Sequence, residues 1–190
     1  MYSRTTKPLL IAAIILILTV AAFLLGLTAL YPVKFTALIS EFSEKYELPP
    51  ELVYAVIHTE SRFRPHALSS KEASGLMQLT RQTADWGAEV IGLNDYHYVR
   101  VFEPHINIEL GCWYLQTLLK QFDGELNTAL AAYNAGSGNV TRWLQNEEHS
   151  ADGRTLRHIP FGETSKYVER VNAAIPIYNF LLRIFGVFIS

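Results

Sequence analysis

The sequence is poor in cysteine, in metal-binding histidine patterns and in phosphate-binding loops. Cys112 is its only cysteine, so an intramolecular disulfide is excluded, and its apolar neighbours predict a small buried side chain rather than a catalytic thiol. The six histidines show no metal-ligand spacing such as His-Glu-x-x-His, and no glycine-rich phosphate loop is present. We therefore predict no metal and no cofactor.

An excess of basic residues is also lacking. Arg4 and Lys7 are the only charged residues among residues 1–31, so the rest of the chain carries 14 basic and 18 acidic residues, a formal charge of −4. Proteins that bind nucleic acid usually present a basic face. The charge therefore argues against a nucleic-acid partner, and it permits a mostly uncharged glycan as substrate.

One long hydrophobic run stands near the N-terminus. Leu9 to Tyr31 is an uncharged stretch of 23 residues, long enough as a helix to cross a hydrocarbon core of about 30 Å. The preceding basic residues place the N-terminus in the cytoplasm. A cleaved signal peptide is the alternative, but its apolar region would be shorter, and residues 28–32 make a poor cleavage site. We favour a single-pass signal anchor in the plasma membrane over residues 1–31, with a domain over residues 32–190 on the cell-wall side.

No segment alternates convincingly as a β-strand does, and the periodicity is helical almost throughout. We predict a mainly α-helical domain. The helices are expected over residues 35–46, 50–61, 80–90, 106–122, 126–133 and 139–145, and from about residue 163 onwards. The 106–122 helix is expected to be the longest of this domain, and Pro176 to kink the last one.

Glu60 ends a segment with the pattern of an amphipathic helix. Apolar residues recur at helical spacing between Leu52 and Ile57 and predict a single apolar stripe. Glu60 follows Val56 by four residues, which places it on the buried side of the last turn, and Pro65 discourages the helix from continuing.

A carboxyl group in that position has reasons to keep its proton. Partial desolvation and the negative end of the helix dipole both raise the pKa of Glu60. A carboxylic acid protonated near neutral pH is what general-acid cleavage of a glycosidic bond needs. A buried glutamate paired with an arginine is the alternative interpretation.

Four short motifs in order carry a resemblance to a known family. They are Glu60-Ser61, Gly75-Leu76-Met77-Gln78-Leu79, Ala131-Ala132-Tyr133-Asn134-Ala135-Gly136 and Ile159-Pro160-Phe161-Gly162-Glu163-Thr164-Ser165-Lys166-Tyr167-Val168. Over about residues 33–178 the chain resembles the lytic transglycosylases of the soluble-lytic-transglycosylase (SLT) family, which are similar to goose-type lysozymes. The resemblance implies a lysozyme-like fold and peptidoglycan as substrate.

The resemblance also implies a mechanism with one acid/base. Glu60 would protonate the oxygen between N-acetylmuramic acid and N-acetylglucosamine, and would then take the proton of the muramoyl C6 hydroxyl. That oxygen closes on C1, so a 1,6-anhydro end forms without consumption of water. A glycosidase with two carboxylates would need a partner about 5–9 Å from Glu60, and the sequence shows no obvious one.

Eight further residues are implied as substrate-binding candidates. They are Ser61, Gly75, Met77, Gln78, Tyr133, Asn134, Glu163 and Tyr167. Read without the resemblance, Met77 and Tyr133 are core residues, Asn134 is a helix C-cap and Ser61 a solvent residue at a helix end. Glu163 is then only a partner for a helix N-terminus.

The motifs depart from the family pattern at two places. Thr80 and Arg81 stand where an apolar residue and proline are usual in the stretch after Gln78, and Gly162 and Ser165 replace the proline and arginine around Glu163. The three tryptophans, at positions 86, 113 and 143, are expected in the core, with a rim tryptophan as the alternative. The apolar residues 184–189 are too short to span a bilayer.

Two other functions remain open. A lysozyme-type hydrolase would position a water molecule with additional carboxylates, for which Asp85, Asp95 and Glu103 are candidates. A catalytically silent glycan-binding module is the other, and the retention of Glu60 together with the glycan-facing motifs argues against it.

Overall fold

The computed structural model describes residues 6–186. The chain divides into two compact units, Met1–Val33 and Lys34–Ser190. The first unit holds one helix, and the second holds all the other helices that the structure describes.

Helix α1, Thr6–Leu30, is the apolar helix of the first unit. Its segment Pro8–Leu30 is long and apolar enough to cross a membrane, and among residues 6–186 no other helix is. Its two interior threonines turn their hydroxyls back onto the helix, Thr19 onto the Ile15 carbonyl at 2.8 Å and Thr28 onto the Leu25 carbonyl at 3.0 Å. Every polar side-chain group of Pro8–Leu30 is thereby satisfied inside the helix, as an apolar environment requires.

The second unit is mainly α-helical, as predicted. Its helices are α2 Thr36–Lys45, α3 Pro50–Ser61, α4 Arg81–Val90, a 3₁₀-helix Tyr98–Phe102, α5 Pro104–Gln121, α6 Leu126–Ala135, α7 Ser137–Leu144 and α8 Gly162–Ile184. No strand occurs in the described part of the chain; only two isolated β-bridges pair Ser74 with Leu68 and with Leu79.

The prediction of the longest helix was wrong. Helix α8 has 23 residues and α5 has 18. Helix α8 runs on through Pro176, which lies exposed on the outer side of the helix. The start of α4 was predicted correctly, because the Thr80 hydroxyl accepts a hydrogen bond from the Thr83 amide at 3.2 Å and caps the helix.

Helix α3 is the centre of the unit. Its residues from Leu52 to Ile57 are buried all round, with exposures of at most 4%, so the single apolar stripe expected from the sequence was wrong. Helix α3 packs along α8, where the Tyr54 ring stacks on Tyr178 with centroids 5.1 Å apart. A helix enclosed in this way holds its last turn rigidly, and Glu60 stands on that turn.

Candidate functional site

Glu60 lies near the C-terminal end of α3, where the helix stops abruptly. Arg62 and Phe63 both adopt left-handed backbone conformations, with φ of 51° and 60°, and the Arg62 amide closes the helix on the His58 carbonyl. Left-handed conformations are costly for residues other than glycine. The turn therefore ends α3 just past Glu60, three residues before Pro65.

The environment of Glu60 brings the pKa of its carboxyl group close to neutral pH. Burial raises the pKa of Glu60 to about 7; a hydrogen-bonding interaction with Tyr167 and the charge of Arg170 lower it, and the charge of Glu163 raises it. The side chain is partly buried and not sealed. It therefore combines a poorly solvated carboxyl group with access from outside.

Two tyrosines flank the carboxyl group. Burial, and next the negative charge of Glu60, hold the pKa of Tyr133 and of Tyr167 well above the ordinary value. The Tyr133 hydroxyl donates to the Met77 carbonyl at 2.8 Å. The Tyr167 hydroxyl is buried and makes no hydrogen bond of normal geometry with any described residue, although it interacts with the Glu60 carboxyl group.

The turn over residues 74–79 carries three of the predicted site residues, Gly75, Met77 and Gln78. Gly75 has φ of +82°, and a Cβ there would lie 2.2 Å from the Asn107 amide nitrogen. Asn107, which is 1% exposed, accepts from the Met77 amide at 2.7 Å and donates to the carbonyls of Ser74 and Val101 at 3.0 and 2.8 Å. A glycine and a buried amide thus fasten the turn to α5.

Gln78 stands at the open end of this turn, with φ of 49°. Its side-chain amide nitrogen donates to the carbonyls of Ala67 and Gly75 at 3.1 and 2.9 Å. These two hydrogen bonds stabilise the turn and link it to the backbone at Ala67.

A groove of about 510 Å³ runs from Gln78 along the second unit. Its walls come from the segments 78–86, 114–121 and 133–138. Three aromatic rings line it: Tyr133 and Tyr114, with centroids 5.3 Å apart, and Trp86, which packs edge-on against Trp113 at 4.7 Å. Aromatic faces beside polar groups suit the C–H faces and hydroxyls of sugars.

Comparison with known proteins identifies the domain. The profile of the family described as "Transglycosylase SLT domain" matches residues 37–155, more than half of the chain. The chain belongs to this SLT domain family. Helix α8, with Glu163 and Tyr167, lies beyond the matched residues.

Similar proteins agree with this assignment. The soluble lytic murein transglycosylase of Escherichia coli K12 is 32% identical over 154 residues, which are 80% of this chain and 24% of that protein. The membrane-bound lytic murein transglycosylase C of Yersinia enterocolitica is 30% identical over 172 residues, 77% of this chain and 47% of that protein. This chain thus matches about a quarter to a half of the length of these relatives.

A solved structure gives the fold. The lytic transglycosylase Slt of Pseudomonas aeruginosa, solved as an inactive Glu-to-Gln variant, matches with a TM-score of 0.72 and 32% identity, over 80% of this chain and 25% of that one. The SLT domain of this chain accordingly has the predicted lysozyme-like fold.

The predicted site residues of the SLT domain fall into three groups. In the first group, Glu163 and Tyr167 on α8 shift the pKa of Glu60. The charge of Glu60 in turn raises the pKa of Tyr167 and of Tyr133 on α6. Asn134 and Gln78 line the groove. Their roles in binding substrate stay predictions.

Three other candidates lie beneath the site surface. Met77 is fully buried, and its side chain packs so tightly on α5 that a Cβ at Gly111 would lie 2.2 Å from its sulfur. Gly75 is buried as well. Ser61 is 1% exposed and donates to the Ile57 carbonyl at 3.2 Å, so the alternative of a solvent residue was wrong.

The helices α6 and α8 are joined at the site. The Thr164 hydroxyl donates to the Asn134 side-chain oxygen at 2.8 Å, and Glu163 forms an ion pair with Lys71 at 3.0 Å. These contacts tie the start of α8 to the end of α6 and to the segment after α3.

Sequence reasoning missed several residues of this region. Arg170, three residues after Tyr167, is one; Asn107 is another; and Trp86, expected in the core, is 47% exposed on the groove. The spacing of Arg170 and Glu163, seven residues apart on one helix face, was a usable signal. In the part of the chain that the structure describes, no group of three His, Cys, Asp or Glu side chains could hold a metal ion.

Proposed function

We propose that this protein is a peptidoglycan lytic transglycosylase that cleaves the bond between N-acetylmuramic acid and N-acetylglucosamine. The observation that carries the proposal is the pKa of Glu60, about 7, in a partly buried site next to an aromatic groove. Relatives from Escherichia coli and Yersinia enterocolitica that bear the name lytic murein transglycosylase support it.

Glu60 acts first as general acid and then as general base. Its proton goes to the glycosidic oxygen, which leaves as the 4-hydroxyl of N-acetylglucosamine while an oxocarbenium-like centre forms at C1 of the muramoyl residue. The ionised Glu60 then takes the proton of the muramoyl C6 hydroxyl as that oxygen bonds to C1. The cycle returns Glu60 to its protonated form and leaves a 1,6-anhydro end.

Tyr167 and Arg170 stabilise the charge that Glu60 acquires. Tyr167 and Arg170 both lower the pKa of Glu60, which means that both favour its ionised form. Tyr167 has no other partner of normal geometry among the described residues, so its hydroxyl is available to tighten onto the carboxylate. A group that must first donate a proton and then accept one works best with a pKa near the operating pH.

Glu163 is a second carboxylate at the edge of the site, and its surroundings favour the mechanism in which Glu60 is the only acid/base. The Glu163 side chain is 67% exposed and paired with Lys71 at 3.0 Å, so it is solvated and partly neutralised. Glu103 is paired with Arg100 at 3.0 Å on the surface. The charges that act on Glu60 are those of Arg170 and Glu163.

The substrate-binding residues follow from the groove. Gln78, Trp86, Tyr133 and Asn134 line it, and Tyr133 connects it to the acid, because the charge of Glu60 acts on the Tyr133 hydroxyl. We assign Tyr133 and Trp86 to stacking on sugar rings and Asn134 to hydrogen bonds at the sugar edges. Gly75, Met77 and Ser61 support the site from beneath.

We further propose that α1 anchors the protein in the plasma membrane with the SLT domain on the cell-wall side. The support is an uncharged segment of 23 residues, Pro8–Leu30, preceded by Arg4 and Lys7. A relative named as membrane-bound is consistent with this.

Digestion of purified cell-wall sacculi by the full chain tests the function. Mass spectrometry of the released muropeptides distinguishes ends lighter than reducing muramoyl ends by one water molecule. Such anhydro ends are the expected result. Reducing ends would make the protein a lysozyme-type hydrolase, and a folded protein that pellets with sacculi without cleaving them would make it a binding module.

A further inference from the structure

The end of α8 is apolar on both sides. From Ala173 to Gly186 the only charged residue is Arg183. One side is buried in the second unit through Ala174, Tyr178 and Leu181. An α-helix that is apolar all round is normally covered on all sides.

The other side of α8 is uncovered. Its exposed apolar residues, which we call the α8 apolar face, are Ala173, Pro176, Phe180, Ile184 and Phe185. The three large ones are 47%, 46% and 48% exposed, in that order. Three large apolar side chains within six residues are a patch, and exposed patches of this kind mark interaction surfaces.

The position of this face in the second unit indicates what covers it. The Tyr178 ring stacks on Tyr54 at 5.1 Å, and the Tyr54 hydroxyl interacts with Thr36, the first residue of α2. The Asn179 side chain donates to Glu51 at the start of α3 at 3.1 Å. Through the Tyr54 ring, Tyr178 on α8 is thus one side chain away from Thr36, where the first helix of the second unit begins.

The chain that enters there comes from the apolar helix α1. Helix α1 ends at Leu30 and α2 begins at Thr36, so the connecting chain can reach no further than about 20 Å. If α1 crosses a bilayer, as proposed above, the entry end of the second unit stays close to the lipid surface. Lys34, two residues before α2, and Arg183, in the last turn of α8, are both exposed, and basic side chains near a bilayer are attracted to anionic headgroups.

We propose that the α8 apolar face inserts into the headgroup boundary of the same bilayer that α1 crosses. Aromatic and aliphatic side chains with flanking basic residues are typical of interfacial helices. Two attachments instead of one would restrict the orientation of the SLT domain on the membrane. The inference rests on the proposed anchoring by α1, and it does not depend on catalysis.

The test uses the full chain in vesicles of phosphatidylethanolamine and phosphatidylglycerol. A small fluorophore is attached through Phe180→Cys or Ile184→Cys. Matched controls are Val99→Cys, which is 72% exposed on the 3₁₀-helix, and Leu18→Cys within α1. The unsubstituted chain gives the background, because Cys112 is fully buried. Each label is exposed to brominated lipid and to aqueous iodide.

Labels at 180 and 184 are expected to be quenched severalfold more by brominated lipid, and severalfold less by iodide, than the label at 99. Quenching like that at 99, with lipid quenching at Leu18, would overturn this inference alone. Shielding from both quenchers would show a protein covering the face, such as a second copy, and would also overturn it. A Leu18 label that reports water would remove the anchoring and the inference together, while sacculus digestion remains a separate result.

Discussion

Four influences of different size set the pKa of Glu60. Burial is the largest and raises it; the Tyr167 hydroxyl and the Arg170 charge lower it, and the Glu163 charge raises it. Because burial outweighs the rest, the pKa reaches about 7. The three smaller influences all come from α8, so this helix adjusts an acid that α3 positions.

The rate of cleavage should depend on pH through this group. If protonated Glu60 is the active form, kcat/KM falls about tenfold per pH unit above the pKa of about 7. Arg170→Gln removes a charge that lowers the pKa of Glu60, so the alkaline limb should move to higher pH. The measurement is the pH profile of muropeptide release by both proteins.

Lys166→Gln is the matched control for Arg170→Gln. Lys166 is an exposed basic residue on the same helix, and it does not contribute to the pKa of Glu60. Its profile should coincide with that of the wild type. A profile of Arg170→Gln that also coincides would contradict the role given to Arg170.

Glu60 should destabilise the folded protein above neutral pH. Its folded pKa of about 7 exceeds its ordinary value of 4.5, so between these values the folded state holds a proton that the unfolded state has lost. The corresponding stability is present at low pH and disappears as pH rises through 7. From pH 4 to pH 8, the free energy of unfolding of Glu60→Gln should therefore rise relative to that of the wild type by at most about 3 kcal/mol.

Thermal unfolding of both full-length proteins in detergent at the two pH values measures this gain. The melting temperature of the wild type should fall relative to that of the variant as the pH rises. Parallel curves would mean that Glu60 ionises in the folded state as easily as in water.

Helical spacing sufficed to predict the raised pKa of Glu60, because it located the residue on the last buried turn of α3. Arg170 was not predicted. Its spacing from Glu163 was a usable local signal, but its effect on Glu60 depends on the packing of α8 along α3, which lies over 100 residues earlier in the sequence. Local spacing does not predict that contact. For Trp86 the expected core position was wrong, and the alternative of a rim tryptophan fits its 47% exposure on the groove. The choice depends on whether another element covers the ring, which helical spacing does not predict.

At the scale of elements, the turn over residues 74–79 depends on α5. The Asn107 side chain forms hydrogen bonds to the backbone of Ser74 and Met77 in the turn and to that of Val101. Met77 packs on Gly111 one helical turn further along. The turn is thus a rigid wall and not a mobile loop.

Gly75→Ala should disrupt the packing of this turn against α5. The added methyl group would lie 2.2 Å from Asn107 and 2.8 Å from the Val101 carbonyl, at φ of +82°. We expect a destabilisation of about 3 kcal/mol or more, with loss of cleavage. Urea unfolding and sacculus digestion measure the two effects.

Gly138→Ala is the matched control, because a Cβ at Gly138 in α7 meets nothing within 4 Å. It should leave stability unchanged or raise it by up to about 1 kcal/mol. Equal losses in both variants would show that Gly75 has no special place in the turn.

The helical elements were the most predictable part of the fold. Periodicity, Thr80 as a cap and Gly136 as a break located α4 and the end of α6. The length of α8 and the all-round burial of α3 were not predicted. Both features depend on what packs against each helix. The apolar residues of α8 after Pro176 suit either a protein interior or a membrane surface.

At the scale of the whole molecule, the two units have separable tasks in this account. Removal of residues 1–33 should release the protein from membranes and leave its activity on isolated sacculi unchanged, because every site residue belongs to Lys34–Ser190. Membrane fractionation and sacculus digestion measure the two properties. A truncated protein that stays folded but loses activity would place part of the function in the first unit.

Muropeptide analysis after sacculus digestion by the wild type and by Glu60→Gln tests whether Glu60 supplies the proton for cleavage. The wild type should produce 1,6-anhydro ends, and the variant, which keeps the shape of the side chain without its proton, should produce them about 10²–10⁴ times more slowly or not at all. Anhydro ends formed by Glu60→Gln at the wild-type rate would contradict the account, because another group would then have to supply the proton.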